Sequence, residues 1–216
     1  MKDKVNFMSV LCLVLIMFSC SRVEHKKKFT YGKVENNIYT NSFFKFTITL
    51  PTGWIVQTKE QTNKIVSLGK ISAVGNNKRL KAIIDASELR STYLLTVFQH
   101  EVGAQVDYNP SLMIIVENID FSPEIKTGKA YLNHTRTLIK QTPFHYNLDK
   151  KIDKININSN VLYVMNSSLE HKNMRIEQEY YSIIRNNFAI SIVTSFSNED
   201  QKESLKETLG TLRFEE

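Results

Sequence analysis

The sequence predicts an α+β domain in which helices pack on a largely antiparallel sheet. The first observation is that apolar and polar residues alternate with a period of two, which is typical of a half-buried strand. The apolar face of this strand is formed by Phe44, Phe46, Ile48 and Leu50. The second is a run of three strand patterns in the carboxy-terminal third, followed by one helical pattern. The joins between these strands are short, which favours antiparallel hairpins over crossover connections.

The first strand ends in a turn motif, because proline and glycine punctuate the chain at Pro51, Gly53 and Trp54. Thr58 and Gln61 have the spacing of a capping box, which predicts the start of a helix. Apolar residues at a spacing of three predict its inner face at Ile65, Leu68 and Ile71. A break at Gly75 to Asn77 separates it from a second helical piece with Leu80, Ile83 and Ile84.

Two further strands and a helix make up the middle of the chain. The strands are predicted at residues 93–98 and 113–116. Ser122-Pro123-Glu124 combines a hydroxyl, a proline and a carboxylate in the order that favours a helix start. We expect that helix to run to about Lys140, before Thr142-Pro143.

The carboxy-terminal strands are predicted at residues 161–169, 174–185 and 188–196. The last two are joined across Asn186 and Asn187, and asparagine tolerates the positive φ of a tight hairpin. Ser197 with Asp200 predicts the start of a final helix, which turns three leucines toward the core and reaches Gly210 near its end. These leucines are Leu205, Leu209 and Leu212.

Both ends of this domain resemble the Mog1/PsbP-like superfamily. At the amino-terminal end, the resemblance lies in the strand of alternating apolar and polar residues that leads into Leu50-Pro-Thr-Gly-Trp54. At the carboxy-terminal end, it lies in the meander of three strands, the final helix and a short Leu212-Arg-Phe214 strand. The resemblance covers residues 38–58 and 160–214. It implies an α/β/α sandwich around an antiparallel sheet. It also implies a binding or assembly module without catalytic activity, since the family shares no catalytic site.

The amino-terminal segment resembles a bacterial lipoprotein signal peptide. A basic start precedes an apolar run at residues 8–18, and Ser19 stands directly before Cys20. Met17 stands where such signals usually carry leucine. The run is too short to cross a bilayer as a mature helix. We expect residues 1–19 to be cleaved and Cys20 to be lipidated; an ordinary secretory signal with a coincidental cysteine is the alternative.

Cysteine usage agrees with this expectation. The chain has two cysteines, Cys12 and Cys20, and cleavage would remove the first. The mature protein would then hold no internal disulfide and would depend on its core for stability. The resemblance implies a diacylglycerol on the sulfur and often a third acyl chain, such as palmitate, on the amino group. Residues 20–37 are expected to form the lipidated cysteine and a flexible tether, and residues 38–216 a single α+β domain.

Length and charge exclude some classes of function. The 216 residues suit one domain after cleavage, and the formal net charge is +6. The basic residues are scattered rather than concentrated with aromatics on one face, so we expect no nucleic-acid partner. Lys26 to Lys28 would lie close to the membrane surface and could attract anionic lipid.

No pattern in the sequence points to a reaction. The five histidines lack metal-ligand spacing, no nucleophile elbow or phosphate loop is present, and we expect no metal, cofactor or enzymatic activity. Glu177 and Glu179 would share one strand face and could form an acid–base pair. We favour a polar outer face there, because Arg175 lies on the same face and can neutralise the two carboxylates.

Three functions remain open at this point. The first is a lipid-anchored binding or assembly protein of the cell envelope, held on the membrane by Cys20 and placed at the outer membrane facing the periplasm, with a protein or small-molecule partner. The second is an envelope hydrolase with a dispersed site that uses Glu177, Glu179, His134 and His171. The third is a carrier that holds an apolar small molecule between sheet and helices.

Overall fold

The structure is a computed structural model that describes residues 29–215. The expected signal peptide, the lipidated Cys20 and most of the expected tether lie outside these residues. The strands are β1 Lys33–Glu35, β2 Ile38–Asn41, β3 Phe46–Thr49, β4 Ile55–Val56, β5 Ser91–Phe98, β6 Ser111–Asn118, β7 Asn147–Leu148, β8 Asp153–Ile157, β9 Asn160–His171, β10 Met174–Arg185, β11 Phe188–Phe196 and β12 Arg213–Phe214. The helices are α1 Lys59–Val74, α2 Lys78–Glu88, α3 Gly128–Ile139 and α4 Glu199–Gly210. Within residues 29–215, no helix is long and apolar enough to span a bilayer.

The strands form two antiparallel sheets. The large sheet has eight strands in the order β4-β5-β6-β11-β10-β9-β7, and β8 pairs with β9 beside that path. The small sheet has the order β1-β2-β3-β12. Every strand pair in both sheets is antiparallel, so the α+β class and the antiparallel sheet are confirmed.

Helices cover both faces of the large sheet. On one face, α4 and the small sheet share the main core with the sheet through apolar residues such as Phe46, Ile192 and Leu205. On the other face, α3 packs through Leu132 onto Met165. The carboxylate of Glu117 links the helices of that second face to β6, because it accepts hydrogen bonds from Ser87 at the end of α2 and from Tyr131 of α3.

Four hairpins of the sheets use two-residue turns in which both residues have positive φ. Such turns match the twist of the flanking strands, and asparagine tolerates the left-handed conformation they need. The turn residues are Asn36 and Asn37, Asn158 and Ser159, Lys172 and Asn173, and Asn186 and Asn187. The sequence predicted the last of these turns, and the structure confirms it.

Regular structure begins earlier than Ile38, where the sequence analysis placed it. The strand β1 starts at Lys33 and pairs with β2, and Phe29 already makes edge-to-face contacts with Phe43 and Phe44. Three residues are too few for a period to show, so β1 left no signal in the sequence. The tether expected over residues 20–37 therefore does not extend as far as residue 37.

Three helical predictions were wrong in detail. The helix expected from Ser122 begins at Gly128, with Thr127 as its N-cap. The intervening residues form a turn, because Ile125 leaves the helical path to pack beside Ala189. The capping box that opens α1 is confirmed, but Leu68 on its predicted inner face is exposed.

Ile71 was also predicted on the inner face of α1, and it too is exposed. In α4, the cap is Asn198 rather than Ser197, and the side chain of Asn198 accepts from the backbone N–H of Gln201. The predicted core leucines of this helix region are buried as expected, namely Leu205, Leu209 and Leu212. The short strands β7 and β8 were not predicted.

Candidate functional site

A cleft of about 270 Å³ lies where the edges of the two sheets face each other. One wall is formed by residues 31–34, at β1 of the small sheet, and the opposite wall by residues 91–96 of β5 in the large sheet. Lys59 and Thr62 from the first turns of α1 close one side. We call this site the edge cleft.

The edge of β5 that faces the cleft is largely unpaired. Its neighbour β4 pairs with it only at Val97 and Phe98, and one further hydrogen bond runs from the Gln57 N–H to the Thr96 carbonyl, at 2.9 Å. Among the described residues, no strand pairs with the outer edge of residues 91–95. The register also shifts between Tyr93 and Leu95, which is a β-bulge. Unpaired edges offer backbone donors and acceptors to another strand.

The wall of the edge cleft contains two buried oxygens without a hydrogen-bond partner among residues 29–215. These are Oε1 of Gln57 and Oγ1 of Thr96, and both side chains are buried. The amide nitrogen of Gln57 donates to the carbonyl of Ile55 at 3.1 Å, which fixes the side chain in the wall. Unpaired buried polar groups are uncommon and lower stability. Similar unpaired atoms occur elsewhere among the described residues, at Ser182 and Thr194 for example, so these two oxygens do not mark the cleft by themselves.

The opposite wall is held rigidly by hydrogen bonds. The hydroxyl of Tyr39 donates to the carbonyl of Tyr31 at 2.6 Å and accepts from the side chain of Asn41 at 3.0 Å. Burial raises the pKa of Tyr39 to about 12, and the hydrogen bond from Asn41 opposes that shift. Gly32 is required in this wall, since its φ is +81° and a Cβ there would lie 2.6 Å from the Tyr39 hydroxyl.

The charge of the edge cleft is positive. Lys33 and Lys59 are its charged lining residues, and neither aspartate nor glutamate is part of the lining. Lys33 forms an exposed ion pair with Glu35 at 2.9 Å. Lys59 donates to the hydroxyl of Tyr31 at 3.1 Å and lies 4.6 Å from the centre of its ring, so its ammonium is held at the cleft by a neutral partner.

The mixed character of the lining bears on the carrier hypothesis. The edge cleft is partly open, and its lining combines apolar side chains with those of threonine, serine, asparagine and glutamine. Ligand sites for apolar molecules are enclosed and mostly apolar. The main core between the two sheets is occupied by side chains such as Tyr39 and Phe46. This geometry does not favour an apolar small molecule as the occupant.

The carboxylates singled out in the sequence do lie on one strand face. The Nε of Arg175 donates to Oε1 of Glu177 at 3.2 Å, and Tyr181 donates to Glu179. Lys202 of α4 lines the same shallow depression. This is the charge-neutralised polar face that the sequence analysis favoured.

The histidines of the hydrolase hypothesis lie elsewhere. His134 is exposed on α3, which packs on the face of the large sheet opposite to Glu177. His171 is exposed at the β9–β10 turn, where it pairs with Met174, whereas Glu177 pairs with Ser168. Three residues of strand separate these positions, which is about 10 Å. The four proposed residues do not form a common site. Within residues 29–215, no three histidine, cysteine or acidic side chains are grouped to hold a metal ion.

The turn motif at Pro51, Gly53 and Trp54 has a structural role. The N–H of Trp54 bonds to the carbonyl of Pro51 at 3.3 Å, and Gly53 has a φ of +80°. The ring of Trp54 is half-buried and packs against the main core. It lies away from the edge cleft, next to Glu207 and Thr208 of α4.

Comparisons with known proteins give a limited result. No family model matches the sequence, and no curated protein matches it. Among solved structures, the chain is similar to CyanoP, the cyanobacterial PsbP of Synechocystis sp. PCC 6803, at 10% identity and a TM-score of 0.45, covering 82% of this chain and 91% of that one. It is also similar to LpqN of Mycobacterium tuberculosis, a protein involved in cell envelope biogenesis, at 8% identity and a TM-score of 0.37, covering 77% of this chain and 78% of that one. A PsbP protein is thus among the similar structures, and we take no function from likenesses this distant.

Proposed function

We propose that the protein is a lipid-anchored binding protein of the bacterial cell envelope that holds an extended polypeptide segment of a partner protein in the edge cleft. The observation that carries the proposal is the unpaired edge of β5 at residues 91–95, facing the edge of β1. An extended segment placed there would add a strand, and its backbone would pair with the free N–H and carbonyl groups. No catalytic step is part of this function.

The charge of the cleft narrows the class of partner. Lys59 points its ammonium at the cleft, and the lining carries no carboxylate to neutralise it. A segment with aspartate or glutamate side chains would complement this charge, whereas a basic segment would be repelled. The proposed occupant is therefore an acidic extended segment.

The anchor is the second part of the proposal. The lipid on Cys20 would hold the domain at the membrane, and Ser21 after the cysteine favours sorting to the outer membrane, with the domain facing the periplasm. Metabolic labelling with a fatty-acid analogue tests the anchor. The wild type is expected to be labelled and Cys20→Ala to remain unlabelled; equal labelling of both proteins would refute lipidation at this residue.

The cleft is tested with a library of random peptides selected on the full-length lipidated protein in detergent. We expect acidic sequences to be enriched and the selected peptides to slow amide hydrogen exchange at residues 91–95, which is the signature of strand addition. Lys59→Glu should weaken binding roughly tenfold or more, because attraction to the peptide becomes repulsion.

The matched control is Lys64→Glu, which makes the same charge change on the same helix at an exposed residue outside the cleft lining. It should leave the affinity within about twofold of the wild type. Selected peptides that bind equally well to both variants, or that leave exchange at residues 91–95 unchanged, would show that the edge cleft is not the binding site.

A further inference from the structure

One end of the large sheet brings three connections of the chain together. The N–H of Asn118, at the end of β6, bonds to the carbonyl of Arg90 before β5, at 3.0 Å. The N–H of Ile119 bonds to the carbonyl of Asn187 in the β10–β11 turn, at 2.9 Å. We call this end of the domain, made of residues 89–90, 118–125 and 186–187, the tip.

The tip exposes two large apolar side chains. Leu89 is 89% exposed and Phe121 is 79% exposed, the two highest values among the large apolar residues described. The loop that carries Phe121 is well anchored, since Ile119 and Ile125 on either side are buried against Ala189. The side chain of Phe121 is therefore exposed on an ordered loop. Two large apolar side chains exposed at the same end of a domain make that end a candidate interaction surface.

The chain also enters the domain at the tip. Phe29, the first residue described, makes an edge-to-face contact with Phe43 at 5.5 Å between ring centres. Phe43 in turn contacts Phe188 at 6.1 Å, and Phe188 pairs with Asn118 at the tip. Only eight residues lie between Cys20 and Phe29, and the nine extended steps from one Cα to the other span at most about 30 Å. A lipid on Cys20 would keep this end of the domain close to the membrane.

We propose that the tip is the membrane-contacting end of the domain, and that Leu89 and Phe121 insert into the interfacial region of the leaflet that holds the lipid anchor. This inference rests on the anchor in the proposed function and is independent of the edge cleft. Aromatic and apolar side chains are favoured at the boundary between headgroups and acyl chains. The exposed carboxylates of Asp120 and Glu124 beside Phe121 limit insertion to that boundary.

Tryptophan quenching by brominated lipid tests the orientation. The full-length lipidated protein is reconstituted into vesicles of phosphatidylethanolamine and phosphatidylglycerol, with and without bromine on the acyl chains. Leu89→Trp and Phe121→Trp place the probe at the tip, and both sites are exposed, so folding should be retained. The wild type reports on its single tryptophan, Trp54, which precedes β4 at the opposite end of β5.

The matched control is Val102→Trp, at an exposed apolar residue in the β5–β6 connection, which is also at the end opposite to the tip. We expect brominated lipid to lower the emission of the added tryptophan about twofold in both tip variants. The emission of Val102→Trp and of the wild type should not change.

The inference would be overturned if brominated lipid did not lower the emission of the two tip variants. It would also be overturned if brominated lipid lowered the emission of Val102→Trp to the same extent. Flotation of the vesicles separates the two proposals. Protein that does not float with the lipid contradicts the anchor itself and the tip inference with it, whereas protein that floats without quenching at the tip contradicts the orientation alone.

Discussion

Gly128 shows how a single residue sets the distance between a helix and the sheet. It is the first residue of α3, and a Cβ built on it would lie 2.3 Å from the carbonyl oxygen of Ser182 in β10. A Cβ does not approach a non-bonded heavy atom this closely, and the obstacle is backbone, which cannot rotate away. The close approach of α3 to β10 therefore depends on the absence of a side chain at this position.

We expect Gly128→Ala to lower the free energy of unfolding by about 1–3 kcal/mol, because the helix must shift away from a well-packed sheet. The control is Gly210→Ala in α4, where no atom lies within 4 Å of the added Cβ. That change should raise stability by about 0.5–1 kcal/mol, since alanine has less conformational freedom to lose in a helix. Urea denaturation of the two variants and the wild type measures both effects, and equal midpoints for the two variants would contradict the close-contact argument.

The site was the least predictable feature at the residue scale. Sequence reasoning considered Glu177, Glu179 and the histidines, because charged groups are the usual carriers of chemistry. The edge cleft is instead formed by backbone at a strand edge and by neutral side chains such as Gln57 and Thr96. Whether a strand edge is free depends on which strands pair, and a single sequence does not specify those pairings.

At the scale of the elements, the strands were predicted better than the helices. A strand with one buried face shows an alternation of apolar and polar residues in the sequence. The long strands β9, β10 and β11 accordingly lie close to their predicted bounds. Elements of two or three residues, such as β1 and β7, are too short to show any period. The start of α3 was placed too early because Ser122-Pro123-Glu124 is a good helix start, but Ile125 gains more by burial in the core.

The helix α1 explains why an apolar spacing of three can mislead. Its contacts with α2 include ion pairs in which Lys70 joins Asp85 and Glu88. Hydrogen bonds from Lys70 and Lys81 hold the pKa of Asp85 below its usual value. The buried residues of α1 are Thr62 and Val74, Lys70 is half-buried, and the apolar residues Leu68 and Ile71 face solvent.

At the scale of the whole molecule, the two proposed surfaces lie on neighbouring parts of one strand. The edge cleft follows β5 from residue 91 to residue 96, and the tip lies just before residue 91. A domain whose tip contacts the membrane, as proposed, would therefore hold the cleft beside the membrane surface. That arrangement suits a partner whose extended segment is itself close to the membrane.

Buried and half-buried tyrosines are a feature of the whole fold rather than of one site. Seven of the nine tyrosines have a raised pKa, and burial is the largest cause for each. They lie on both faces of the large sheet, and they come from a helix and from loops as well as from strands. They are Tyr39, Tyr93, Tyr108, Tyr131, Tyr146, Tyr180 and Tyr181.

This distribution predicts loss of stability at alkaline pH. A tyrosine in the unfolded chain ionises near pH 10.0, whereas the folded protein keeps these hydroxyls protonated, Tyr39 up to about pH 12. Above pH 10 the unfolded state therefore binds fewer protons, and stability falls with rising pH by up to about 1.4 kcal/mol per pH unit for each such group. The contribution is fully present below pH 10 and is lost as the pH rises toward the folded-state values.

We expect the protein to unfold cooperatively between pH 10 and about 12, with tyrosinate absorbance and loss of near-ultraviolet circular dichroism appearing in the same transition. The reference is the same titration in concentrated urea, where the tyrosines of the unfolded chain ionise near pH 10. If all nine tyrosines of the native protein titrated near pH 10 while the circular dichroism stayed unchanged, the placement of these seven side chains, buried or half-buried, would be wrong. Because they lie on both faces of the large sheet, this single titration tests the packing of its two helical layers at once.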